Sequence, residues 1–117
     1  MLPTIGLPLP NVERAIIDRR KLEDYALDAA HEDGRHKARV FRSVLGLGSA
    51  DWRYLRDAIL ADLPFAPVTA TKPTPYGLRC TVVVSIQGVN GHQHDVLTAW
   101  LTTASRPPRL VTAYVDL

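Results

Sequence analysis

Apolar residues recur at helical spacing through the first half of the chain and alternate, as in strands, through the second. Leu22, Tyr25, Ala26 and Ala29 form one stripe. It predicts a helix over about 19–30, capped by Asp18. Phe41, Val44 and Leu45, with Val40 at the edge, predict a second helix over about 34–45, capped by Asp33 and ended by Gly46 and Gly48. Trp52, Leu55, Ile59 and Leu63 predict a third over about 50–63, capped by Ser49 and stopped by Pro64. The lead, residues 1–12, holds Pro3, Pro8 and Pro10 and reads as an extended arm, with a short extended piece at Arg14–Ile17.

From residue 66 onward the period changes to two. Strands are expected over about 66–72, 78–87, 94–102 and 109–117. Pro73, Pro75 and Gly77 mark the first turn, and Ser105, Arg106, Pro107 and Pro108 mark the last. Asn90-Gly91 predicts a hairpin turn of positive φ. Helices first and strands afterwards give an α+β class: about three N-terminal helices packed on an antiparallel sheet of about four strands. The parts are an arm (1–12), a helical part (19–63) and a sheet (66–117), within one domain of 117 residues.

Alternation assigns faces to the strands. Leu97, Ala99 and Leu101, with Val111, Ala113 and Val115, are expected under the helices. The uncovered face then carries Thr98, Trp100, Thr102, Thr112 and Tyr114, hydroxyls and rings suited to holding phosphate and stacking bases. A half-solvated sheet face has much the same composition, because Thr and aromatic residues favour strands.

Composition narrows the classes. Hydrophobic residues make up 46% and charged residues 22%, values of a folded globular chain. No apolar run is long enough to cross a membrane, and the start has neither a basic region nor a long apolar stretch, so a soluble cytoplasmic protein is expected. The lone Cys80 lies between strand residues and reads as buried rather than nucleophilic. Formal charge is only +2, yet Arg35, His36, Lys37, Arg39 and Arg42 occur with no acid among them. His36 and Lys37 fall in the first turn of the second helix, where free backbone N–H groups favour an anion. The alternative is an ordinary wet helix face. His92 and His94 share a face, but no third metal ligand accompanies them. No phosphate-cradling glycine loop, nucleophile elbow or acid cluster is present, so neither metal nor cofactor is expected.

Several spaced motifs carry a resemblance. Leu22-Glu23-Asp24-Tyr25-Ala26-Leu27, His31, Gly34 through Phe41, Pro75-Tyr76-Gly77, Asn90-Gly91, Ala99-Trp100 and Arg109 through Tyr114 together resemble an uncharacterised bacterial domain family. So do Leu9-Pro10-Asn11 and Arg14-Ala15. The pattern is also similar to the barnase/EndoU/RelE-like ribonuclease fold of bacterial toxins. That resemblance implies a metal-independent endoribonuclease with His36, His31, Lys37, Thr112 and Tyr114 as catalytic groups. Arg35, Arg39, Trp100, Thr98 and Thr102 would bind substrate. RNA and a cognate antitoxin or immunity protein would be the partners. The chain lacks the barnase glutamate base and is less basic than RelE-like toxins. The rival expectation is a non-catalytic protein- or RNA-binding module of a toxin–antitoxin, phage or secreted-effector system.

Overall fold

A computed structural model describes residues 2–117. Helix α1 (Arg19–Lys21) continues into a π-helical turn (Leu22–Ala26). After it come α2 (Arg35–Leu45) and α3 (Trp52–Asp62), then β1 (Val68–Thr74), β2 (Gly77–Gln87), β3 (Gln93–Thr102) and β4 (Arg109–Val115). Short 3₁₀ turns at Val12–Arg14, Ser49–Asp51 and Leu63–Phe65 join the pieces. The strands form one antiparallel meander in the order β1-β2-β3-β4. The α+β architecture expected from the two periodicities is therefore the one observed.

The helices cover one face of the sheet, α3 along β2 and α2 along β4. Their buried stripes are Leu22 and Ala26, then Ala38, Phe41 and Leu45, then Trp52, Leu55 and Ile59. The arm is interrupted by turns rather than extended throughout, with Leu7 N donating to Thr4 O and a 3₁₀ turn at Val12–Arg14, and it adds a bridge to β1: Gly6 N donates to Val68 O at 2.8 Å and Val68 N to Leu7 O at 2.9 Å. Ile16 does the same for β4, through Ile16 N to Pro108 O and Leu110 N to Ile16 O. Backbone groups that an open edge would leave unpaired are thus partly satisfied.

Several local expectations are corrected. The first helix ends at Ala26 rather than Ala30, leaving Ala29 exposed, because Leu27 N bonds back five residues to Leu22 O and widens the last turn. Asp18 does cap it, accepting from Arg20 N at 2.9 Å. Asp33 does not cap α2, nor Ser49 α3. His31 Nδ1 accepts the Asp33 and Gly34 amides ahead of α2, and the Asp51 carboxylate accepts Gly48 N ahead of α3. The Asn90-Gly91 turn is a longer loop, 88–92, with positive φ at Gly91 alone. Asn90 Nδ2 donates to Val44 O, so the loop is tied to the end of α2.

The faces of β3 are the reverse of the expectation. Val96, Thr98 and Trp100 are buried under the helices, whereas Leu97 and Leu101 lie half-buried on the open face with Ala99 between them. The indole makes this possible. Trp100 Nε1 donates to Thr98 Oγ1 at 2.8 Å, and Thr98 Oγ1 donates to Val82 O at 2.7 Å, so no polar atom of the pair is left unpaired. In β4 the register slips opposite Ala99/Trp100, so that Leu110 turns inward beside Trp100 while Val111 is skipped. Beyond this bulge Ala113 and Val115 face inward as expected.

Replacing Thr98→Val strands the buried indole N–H and should cost about 1–3 kcal/mol in urea unfolding. The Asp18 carboxyl is held well below the usual carboxylate range by its hydrogen bond to the Arg20 side chain, then by Arg20 N. A depressed folded-state value adds stability above the ordinary carboxylate range and loses it as pH falls toward that value. Asp18→Ala should therefore be less stable than the parent at pH 7, and the gap should shrink in strong acid.

Candidate functional site

The site is built where α2 meets the π-helical turn and β4. Gly34 lies so close to that turn that a Cβ would fall on the Tyr25 carbonyl oxygen. Only glycine permits this approach, and it brings the first turn of α2 beside Tyr25. His31 locks the junction. Its ring meets the Tyr25 ring edge-on at 5.0 Å, and its Nδ1 accepts the two amides described above. A ring nitrogen that accepts carries no proton, so any proton on a neutral His31 sits on Nε2.

Lys37 projects from this first turn to the edge of β4. Its Nζ donates to Tyr25 Oη at 2.9 Å and to Thr112 Oγ1 at 3.1 Å. It also lies 4.7 Å from the Tyr25 ring centre and 5.5 Å from that of Tyr114. Two tyrosine faces and two hydroxyls thus cradle one half-buried ammonium. An ammonium has three donors and two are used here, which leaves one for a ligand.

Lys37, Tyr25 and Thr112 line a cleft of about 320 Å³ together with Lys21, Arg79 and Val111. Three of its six walls are cations and none is an acid. Among the described residues the ion pairs are Arg19–Glu23, Arg20–Asp18 and Arg56–Asp57, so Lys21, Lys37 and Arg79 have no carboxylate partner. Arg79 belongs to the open face of the sheet, in register with Leu101 on β3 and, through it, Arg109 on β4. A half-buried cation without a counter-ion is electrostatically prepared for an anion from outside.

Of the residues expected at a site, the structure brings Lys37, Thr112 and Tyr114 together, and His31 stands behind them, bound to the amides of the turn that leads into α2. His36, Arg35 and Arg39 are exposed on α2 and do not line the cleft. Trp100 and Thr98 are fully buried in the core, and neither can stack or hold a substrate. Thr102 stands at the end of β3 with a long 3.4 Å bond to Arg106 O, outside the cleft. Cys80 is buried as expected, and burial pushes its thiol pKa up. Sequence reasoning missed Tyr25, Lys21 and Arg79. The four-residue spacing of Lys21 and Tyr25 was the available signal for the first two. For Arg79 it was the alternation of β2 with Cys80, Val82 and Val84 buried.

No helix among the described residues is long and apolar enough to cross a membrane. No curated protein matches the chain in sequence. The fold is similar to that of a chain in the contact-dependent growth inhibition toxin–immunity protein complex from Klebsiella pneumoniae 342. The TM-score is 0.69 at 13% identity, covering 86% of this chain and 99% of that one. The match to a family profile runs over residues 8–117, arm, helices and sheet alike, and on it the chain belongs to the family described as a domain of unknown function, DUF6883.

Proposed function

We propose that this domain is a metal-independent endoribonuclease of bacterial toxin type. The Lys37 cradle carries the proposal: an ammonium with a spare donor, two hydroxyl partners, two further cations and no carboxylate around it. That is a seat for a phosphodiester. The cleft offers no carboxylate to a divalent ion, so the chain's own cations must meet the charge of the reaction. The likeness in fold to a chain of a toxin–immunity complex supports the toxin setting, in which RNA of the target cell's cytoplasm is the substrate and a cognate immunity protein is the partner.

In this reading a ribose 2′-oxygen attacks the adjacent phosphorus. A bond forms between O2′ and P, the bond from P to O5′ breaks, and a 2′,3′-cyclic phosphate and a 5′-hydroxyl result. Lys37 donates to a non-bridging oxygen as charge develops there, and Lys21 and Arg79 add to the field. The Tyr25 phenol, whose oxygen accepts from Lys37, keeps its own proton to give to the phosphate or the leaving oxygen. Thr112 and Tyr114 fix the ammonium. His36 lies outside the cleft, exposed one residue before Lys37, so it takes the 2′ proton only from a strand that crosses the front edge of α2. His31 does not take it, because its Nδ1 is occupied by two amides.

The rival reading is a non-catalytic partner, and the same neighbour favours it, since a toxin–immunity complex contains both roles. Purified protein incubated with total RNA in excess EDTA should yield fragments ending in 2′,3′-cyclic phosphate. Lys37→Ala should lower the rate by roughly 10²–10³-fold, and His36→Ala by about 10²–10⁴-fold. Expression in bacteria should arrest growth, and Lys37→Ala should relieve the arrest. RNA left intact, with expression tolerated, assigns the domain to the binding class instead.

A further inference from the structure

The Lys37 cleft lies between two depressions: a hollow of about 410 Å³ that shares Lys21 and Tyr25 with it and holds Asp24 and His31, and a longer run on the other side. In that run a hollow of about 310 Å³ shares Lys21 and Val111 with the cleft and adds Arg109 and Leu101. The next, about 260 Å³, shares Leu101 and Arg109 with it and reaches Tyr76 and Arg106. The cleft and these two run end to end from α2 and β4 to the β1–β2 turn. Cations occur along the whole length: Lys37, Arg79 and Lys21, then Arg109, then Arg106. The single acid on the walls of this run is Asp18, and its carboxylate is bound by the Arg20 guanidinium and Arg20 N. At the far end Tyr76 is 79% exposed, in the β1–β2 turn.

We infer that this trough is the track of a single-stranded RNA, with Tyr76 as a base-stacking platform several nucleotides from the phosphate held at Lys37. Spaced cations with a ring between or beyond them are what a single strand needs, phosphates on the first and a base on the second. The floor favours the same ligand. Leu101 and Val111 are half-buried apolar side chains against which ribose and base edges pack, while the cations flank them. The track rests on the reading of the Lys37 cleft as a phosphodiester seat, and it adds a requirement for substrates longer than a dinucleotide.

The test uses 2′-O-methyl RNA of about ten nucleotides, within the usual span of such sites, which has no free 2′-hydroxyl and cannot be cleaved by the proposed route. Fluorescence anisotropy reads its affinity. Tyr76→Ala should weaken binding roughly 5- to 150-fold, the effect of losing one stacked base. Arg106→Ala should reduce the slope of log K against log salt by about 0.7. Both sites are exposed, and circular dichroism checks the fold of each variant. Neither change should alter the affinity of a 2′-O-methyl dinucleotide. Decamer affinity unmoved by both substitutions overturns the track even if the wild type cleaves RNA, and so does a wild type that prefers duplex or binds no decamer. Tight, Tyr76-dependent binding without cleavage of ordinary RNA leaves the track standing and removes the ribonuclease reading.

Discussion

The hydrogen-bonded relay Trp100 Nε1 to Thr98 Oγ1 to Val82 O decides which way the sheet faces. Burying an indole gains more than burying any aliphatic side chain on β3, but only if its N–H finds a partner. Thr98, two residues away and therefore on the same face, supplies that partner and donates its own hydrogen bond to Val82 O on the neighbouring strand. Once these two positions are inside, period two sends Leu97, Ala99 and Leu101 to the other side. Pairing then places Arg79 and Arg109 beside Leu101 on that open face. The cationic row is thus a consequence of how one tryptophan is satisfied.

A second constraint brings chemistry to that face. The contact of Gly34 with the Tyr25 backbone joins two helical pieces that would otherwise be held apart by a side chain. The π-helical turn places Tyr25 at the contact, and turns of this kind recur where function needs an irregular helix. Lys37 is one turn further along α2 from Gly34, so its position at the β4 edge is inherited from that approach. Its ammonium gives up part of its hydration there, and the two hydroxyls and two ring faces offset the loss without neutralising the charge.

The architecture was legible because it is written in period alone: 3.6 over Leu22 to Leu63, two over Val82 to Val115. The cleft was half legible. Lys37, Thr112 and Tyr114 stand out as polar groups in the first turn of a helix and on the last strand, and they do meet. The imidazoles drew attention by residue type, but His31 serves the backbone and His36 faces solvent. The inverted faces of β3 were not legible from alternation. Leu97-Thr98-Ala99-Trp100-Leu101 has apolar residues on both parities, so period two alone cannot choose between them. The choice depends on a side-chain hydrogen bond to another strand. Likewise, the bulge that turns Leu110 inward leaves no mark in the sequence.

The formal charge of +2 conceals how the acids are spent. Asp18 and Asp57 bind neighbouring arginines, Glu23 binds Arg19, and Asp28, Asp51 and Asp62 accept backbone amides at Ala30, Gly48 and Ser85. Each of these carboxylates has a structural task away from the Lys37 cleft. The cations along the trough have no carboxylate partner, since Lys21, Lys37, Arg79, Arg106 and Arg109 form no ion pair among the described residues. Screening limits exposed charges to about a Debye length, so an anion in the trough feels these nearby cations far more than acids elsewhere on the surface. A near-neutral chain can therefore present a cationic channel by assigning half of its twelve carboxylates to ion pairs, caps and turns.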